Sequence, residues 1–323
     1  MNRRDFLTGT LGSPVIAVLS GVAMADTTVN QMDRTDPGVS SGKARVMERE
    51  FIAWYDGSIQ RYLIRYPGET DEVPEIRGAS ETSENTGNPD PGEITGTKTV
   101  DLLVTLHGHG ADRNQFVYDV RDECLATRII ADRFGLLMVS PDYRARTSWM
   151  GPAAEADMVQ LIGILRKEFP IRHVIFAGGS MGASSSLTFA AIHPELVDAV
   201  VAMNGLANHL EYENFQDAIV ESFGGDKRTI PEEYRKRSAE YFPERFTVPL
   251  AVTTGGHDTL VPPDSVTRFV AILAKLGRPV VQIHRPEGGH ETNLADAIAA
   301  YEFVLEKLRS ESGNGESWKT EGN

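Results

Sequence analysis

From Val100 onward, apolar runs of strand length alternate with stretches whose apolar residues recur at helical spacing. "TVDLLVTLHG", "LLMVSP", "HVIFAGG", "VDAVVAMNG", "PLAVTTGG" and "VVQIHRP" read as strands. "FVYDVRDECLATRIIADRFG", "EADMVQLIGILRKEF", "MGASSSLTFAAIHP", "DSVTRFVAILAKLG" and "NLADAIAAYEFVLEKLRS" read as helices between and after them. Such alternation leaves few folds open. Each crossover returns right-handed to a parallel neighbour, which gives a mainly parallel sheet with helices on both faces. A chain of 323 residues suits one large α/β domain or two small ones.

The segments outside this rhythm have their own signatures. "RVMEREFIAWY" and "SIQRYLIRYP" flank Asp56-Gly57 and predict two strands joined by a hairpin turn, an antiparallel edge to the sheet. Residues 69–98 are rich in Glu, Gly, Pro, Ser and Thr, with few large apolar side chains, and read as an acidic loop insertion. Residues 208–246 are charged, aromatic and amphipathic, and are expected to form a small helical cap over the carboxyl edge of the sheet. The α/β domain then occupies residues 45–310. A flexible segment over 26–44 precedes it and a disordered tail over 311–323 follows.

One serine stands between glycines where a strand gives way to a helix, in Gly178-Gly179-Ser180-Met181-Gly182. This is G-x-S-x-G in a strand–turn–helix setting. A sharp turn there lifts the hydroxyl above the sheet edge, and small flanking residues let neighbouring elements approach. A serine hydroxyl is a poor nucleophile without a base in hydrogen-bond reach. "RPEGGHET" puts His290 in a glycine-rich loop after the last strand, and "TTGGHDTLVPP" puts Asp258 in the loop after the strand before it. Both loops emerge at the edge that carries Ser180. Asp258 is expected to hold His290 in the tautomer that offers a free nitrogen to Ser180. Asp142 after "MVSP" is the alternative acid. His284 lies within an apolar strand run and reads as a packing residue, and His257 reads as a loop residue.

"LLVTLHGHGADRNQF" ends a strand in His107-Gly108-His109-Gly110. A loop so placed supplies one backbone N–H to an oxyanion and the residue after the nucleophile supplies the other. That predicts the amides of Met181 and His109, with Gly110 as the fallback. A metal site built on His107 and His109 lacks a third ligand at suitable spacing, so no metal is expected. Trp149 and Tyr143 sit near loops at the active edge and are the candidates for lining a substrate pocket, along with Phe116.

Taken together, "LHGHG", "GGSMGA", "GHDTLVPP" and "GGH" resemble the α/β-hydrolase superfamily, in particular exported esterases and the catalytic domain of prolyl oligopeptidases. The resemblance runs from Arg45 to Arg309. It implies an α/β-hydrolase fold, Ser180 as nucleophile, Asp258 as acid, His290 as base, acyl-enzyme chemistry and no cofactor, while the acidic insertion and the small helical cap depart from a minimal member. The leading expectation is a carboxylic ester hydrolase acting on a small-molecule or oligomeric ester. A peptidase of the prolyl-oligopeptidase kind is the alternative, although that family usually carries a propeller and little chain precedes "TVDLLVTLHG". A catalytically silent binding protein is the third, set against the retention of all three triad residues.

The first 25 residues have a different purpose. "MNRRDFL" places Arg3 and Arg4 before Phe6 and Leu7, and an apolar stretch follows that ends in Ala23-Met24-Ala25. The RR-x-F-L core predicts a twin-arginine signal peptide over residues 1–25, hence a periplasmic or extracellular protein and the twin-arginine export machinery as a partner. A membrane anchor is the competing reading. The stretch is short for a span and carries Gly12, Ser13, Pro14, Ser20 and Gly21. The formal net charge of -14 repels phosphate backbones and argues against a nucleic-acid partner. Cys124 is the single cysteine, so no intramolecular disulfide forms, and it reads as a packing residue.

Overall fold

A computed structural model of the protein describes residues 44–67 and 99–311. Among the described residues, eight strands form one sheet in the order β1-β2-β4-β3-β5-β6-β7-β8. They are β1 (Val46–Ile52), β2 (Ile59–Arg65), β3 (Val100–Leu106), β4 (Leu137–Pro141), β5 (Ile171–Gly179), β6 (Ala199–Met203), β7 (Leu250–Gly255) and β8 (Val280–Arg285). β1 pairs antiparallel with β2, and β2 antiparallel with β4; every other pairing is parallel. The leading hairpin is therefore the antiparallel edge that its sequence predicts. Its turn is tied by Asp56, whose Oδ1 accepts both the amide and the hydroxyl of Ser58.

Burial explains why the parallel strands read as continuous apolar runs. Successive side chains point to opposite faces, and both faces are covered. Leu102, Val104, Leu106, Val174 and Phe176 pack on one face, beneath α3 (Pro152–Glu168), α4 (Met181–Ile192) and α7 (Asp264–Lys275). Leu103, Ile175 and Ala177 pack on the other, beneath α2 (Asp122–Phe134) and α8 (Leu294–Glu311). Cys124 lies in this second layer, fully buried, and burial pushes its thiol up to about 12. It packs and does not react.

The stretch read as one helix from Phe116 to Phe134 is two: α1 (Gln115–Tyr118) and α2. Asp119 breaks it. Its backbone is extended, and its carboxylate accepts the Arg121 amide and pairs with the Arg121 guanidinium. A short acidic side chain that bonds its own downstream backbone competes with helix.

Between β6 and β7 the cap region contains α5 (Gln216–Phe223), α6 (Pro231–Lys236) and two 3₁₀ turns, Ala239–Tyr241 and Pro243–Arg245. Arg237 anchors it. The side chain is fully buried and donates to the Met150 carbonyl, to Glu155 at the start of α3 and to Glu233. Burial raises the Glu155 carboxyl, but His193 and Arg237 outweigh it and hold it at about 2. Removing one partner of a buried pair of this kind costs about 3–5 kcal/mol, so these bonds fasten the cap to the sheet domain. The signal peptide over 1–25, the segment over 26–43, the insertion over 69–98 and the tail from 312 lie outside the described residues.

Candidate active site

β5 ends at Gly179 and α4 begins at Met181, so Ser180 is the single residue at the join. Its φ is 58° and ψ -120°, a left-handed conformation costly for a residue with a Cβ. Three contacts enforce it. The Ser180 amide donates to Met203 O at the end of β6 (2.8 Å). Gly178 and Gly182 let β5, α4 and β3 converge: a Cβ on Gly182 would stand 1.9 Å from Leu106 O, and one on Gly178 2.4 Å from the Gly182 carbonyl carbon. Ser184, one turn along α4, donates its hydroxyl to Ser180 O and accepts the Leu206 amide. In the small-residue run after the nucleophile turn, Ser184 and Ser186 thus bury hydroxyls that bond backbone.

His290 Nε2 lies 2.8 Å from Ser180 Oγ, and His290 Nδ1 lies 2.7 Å from Asp258 Oδ2. A carboxylate only accepts, so Nδ1 carries the proton and Nε2 is left to accept from the serine. The other oxygen of Asp258 accepts the amides of Leu260 (3.0 Å) and Val261 (2.9 Å). Burial raises the Asp258 carboxyl, and the bonds from His290, Val261 and Leu260 together lower it further, so it sits below the ordinary range and stays ionised. The alternative acid, Asp142, is turned away. It accepts from the Arg113 amide and guanidinium, beside Glu48. His257 is an exposed loop residue. His284 is a correction: it is exposed and bonded to Thr254 Oγ1 (2.9 Å), because β8 is the last strand of the sheet among the described residues.

The oxyanion loop resolves its own ambiguity. The Gly110 amide donates to Arg146 O (2.8 Å) and the Gly108 amide to Gln115 Oε1 (2.8 Å), so both are committed. The His109 and Met181 amides have no acceptor among the described residues. The His109 ring is fixed as well. Trp149 Nε1–H donates to His109 Nδ1 (3.2 Å), which places the His109 proton on Nε2, and Phe215 of the cap packs against the ring with centroids 4.4 Å apart. Burial lowers the His109 pKa and keeps the ring neutral.

Tyr143 and Trp149 do not line the pocket, contrary to expectation. Both are buried, Tyr143 with its hydroxyl on His107 O (2.6 Å) and Trp149 behind His109. Left-handed backbone at Tyr143, Arg144, Trp149 and Met150 turns this loop so that its aromatic side chains face inward. Phe116 is fully buried too, though its ring edge lies near Gly179. His107 is buried with both ring nitrogens near carbonyls, those of Gly108 and Asp142.

Ser180 and His290 open onto a cleft of about 310 Å³. Phe215 from the cap and Leu260 from the acid loop form its apolar wall, and Gln115, Glu123 and Asn204 its polar side. The cap is pinned to the acid loop there: Asn214 donates to Thr259 O and Leu260 O, and the Tyr212 hydroxyl to Leu260 O. Phe215, Gln115 and Asn204 are absent from the sequence reading. For Asn204 a signal existed, an asparagine closing an apolar strand run just before a glycine, since asparagine tolerates left-handed backbone. What the arrangement can do is take a proton from a hydroxyl, accept an oxyanion on two amides, and return the proton to a leaving group.

Comparison with known proteins agrees with this fold. The sequence profile of the prolyl oligopeptidase family matches residues 150–311. No curated protein matches the chain by sequence. A puromycin hydrolase structure superposes with a TM-score of 0.64 at 19% identity, covering 86% of this chain and 41% of that one. An acylaminoacyl peptidase of Pyrococcus horikoshii gives 0.58 at 16% identity, covering 86% and 44%. An S-formylglutathione hydrolase of Staphylococcus aureus gives 0.57 at 14% identity, covering 81% and 99%. At these identities the likeness is one of fold. The chain spans about two fifths of the length of the first two.

Proposed function

The chain belongs to the prolyl oligopeptidase family of serine hydrolases, and from that premise we propose that it is an exported enzyme cleaving carboxylic esters of short acyl groups. The observation that carries this reading is the Ser180–His290–Asp258 relay, at 2.8 and 2.7 Å, opening onto a small cleft under a fastened cap. Ser180 Oγ attacks the ester carbonyl while its proton passes to His290 Nε2. The Met181 and His109 amides hold the oxyanion. The tetrahedral adduct collapses, His290 gives its proton to the departing alcohol, and an acyl-serine ester remains. Water, deprotonated by the same nitrogen, then releases the acid and restores Ser180. No cofactor enters any of these steps.

Cleft size and wall support short acyl groups. About 310 Å³ is near the lower end for small-molecule sites. The wall offers Phe215 and Leu260 rather than a broad apolar face of the sort an oil-water interface requires. The second reading, a peptidase, is favoured by the family itself. Ester and amide cleavage use the same relay, so substrate preference decides between them. Purified protein should hydrolyse p-nitrophenyl acetate and butyrate with a kcat/KM at least about tenfold above that for p-nitrophenyl palmitate or a prolyl anilide. A higher value for the anilide makes it a peptidase; a higher value for palmitate makes it a lipase.

Export rests on the RR-x-F-L leader. The twin-arginine route reads the guanidinium pair, so replacing Arg3 and Arg4 by lysine should leave the precursor in the cytoplasm. Fractionation of cells expressing the variant tests this, and undiminished export would assign the protein to another route.

A further inference from the structure

We propose that Asn204 is a positioning residue that ties the loop carrying His290 to the turn carrying Ser180. The inference rests on the serine hydrolase reading and adds a component to it.

Asn204 follows β6 directly, and the residue before it, Met203, accepts the Ser180 amide. Its φ of 54° is left-handed, and its own amide donates to Thr253 O (3.0 Å) at the end of β7. The side chain is thereby aimed across the strand ends, 5% exposed, at the edge of the cleft. There it holds both flanks of His290. Asn204 Nδ2–H donates to Gly289 O (3.4 Å), one residue before. Asn204 Oδ1 accepts from the Thr292 hydroxyl, two residues after. Thr253 Oγ1 lies 2.6 Å from Thr292 Oγ1 and donates to Asn204 Oδ1 at 3.4 Å, so the two threonine hydroxyls and the carboxamide oxygen form one cluster in which Asn204 Oδ1 accepts.

The His290 loop depends on these bonds. It has no regular secondary structure between β8 and α8. On its early side, the His257 amide holds Gly288 O (2.8 Å) and the Gly288 amide holds Arg285 O (3.0 Å). Between His290 and the start of α8, Thr292 supplies the bonds that reach across to β6 and β7 among the described residues. The 2.8 Å contact of His290 Nε2 with Ser180 Oγ joins two segments that are far apart in sequence. Asn204 bonds the His290 loop through its side chain and adjoins the Ser180 turn through Met203, the residue before it, whose carbonyl accepts the Ser180 amide. An asparagine suits the position. Its carboxamide donates to one flank and accepts from the other, which neither aspartate nor leucine does. A misplacement near 1 Å in such a relay costs on the order of 10²-fold in rate.

The test uses Thr292→Val, which keeps shape and removes the hydroxyl, Thr292→Ser, which keeps the hydroxyl, and Asn204→Gly, which keeps the left-handed backbone and removes the amide. Each is compared with wild type for kcat and KM on p-nitrophenyl acetate and for the rate of inactivation by a fluorophosphonate. The downfield proton resonance of the His290–Asp258 bond reports loop position without substrate. Thr292→Val and Asn204→Gly should lower kcat and the inactivation rate by about 10- to 100-fold with KM within about twofold, and should weaken the resonance. Thr292→Ser should stay within about threefold of wild type. A role in stability alone would lower the melting temperature and leave all three readouts unchanged in the folded fraction. Wild-type kcat and resonance in Thr292→Val, or equal losses in the valine and serine variants, overturn the clamp while an active wild type leaves the enzyme reading standing. A wild type that neither turns over esters nor reacts with the fluorophosphonate overturns both. Should Asn204→Gly fail to fold, the Thr292 pair decides alone.

Discussion

Ser180→Ala should leave the protein folded and lower ester turnover by about 10⁴-fold or more. The features that force Ser180 into its left-handed conformation are its amide bond to Met203 O, the close approach of Gly178 and Gly182 and the Ser184 hydroxyl on Ser180 O, and none of them involves the Ser180 hydroxyl. Alanine therefore keeps the turn, and α4 keeps its start. What it removes is the oxygen 2.8 Å from His290 Nε2. The oxyanion amides of Met181 and His109 survive and account for any residual rate, as in other triad knockouts. Steady-state kinetics with a melting curve on the same sample check this, and covalent labelling by a fluorophosphonate should disappear in parallel. Turnover near the wild-type level by a folded Ser180→Ala would falsify the nucleophile assignment. His284→Ala is the matched control: that ring is exposed on the edge strand, bonded to Thr254, and its loss should be silent.

How far sequence reaches depends on whether a feature is local or set by what surrounds it. The parallel strands are legible because burial on both faces demands apolar runs, as in residues 250–252 and Ala199–Met203. The break between α1 and α2 is hidden by the same logic, since apolar spacing continues across Asp119 while one carboxylate redirects the backbone. Ser180, Asp258 and His290 stand out because their chemistry demands glycine-rich turns at successive strand ends, and the structure brings the three together. Tyr143 and Trp149 sit at the right edge in sequence, yet four left-handed residues roll their rings under the loop, and no periodicity encodes that. His284 looks like a core residue in an apolar run. Its exposure follows from β8 being the last strand, a matter of sheet order. Phe215 enters the cleft from a cap of short helices, where burial depends on docking by Arg237 more than on local pattern.

The second large effect concerns the glycine two residues past the nucleophile. Gly182→Ala should destabilise the protein by about 3 kcal/mol or more, at the top of the range for overpacking, and abolish fluorophosphonate labelling. A Cβ at Gly182 meets Leu106 O at 1.9 Å, the Leu106 carbonyl carbon at 2.6 Å and His107 O at 2.8 Å. All three are backbone atoms, so no rotamer change relieves the clash. Leu106 cannot withdraw, because it is registered against Gly178 in the β3–β5 ladder and leads directly into the oxyanion loop. α4 must lift instead, and it carries the Met181 amide and the Ser180 turn with it. Gly179 supplies the internal contrast. A Cβ there has its nearest neighbours, Glu123 Cγ and Phe116 Cζ, at 4.0 Å, an ordinary contact distance. Gly179→Ala also removes a glycine from the end of a strand, where its backbone freedom is a cost, and should shift stability by no more than about 1 kcal/mol. Denaturant unfolding of the two variants side by side, with labelling of the folded protein, separates them. Equal stability for both, with labelling retained in Gly182→Ala, would mean that the contact between α4 and β3 yields more easily than its backbone geometry allows, and the account of how Ser180 is held in place would fail with it.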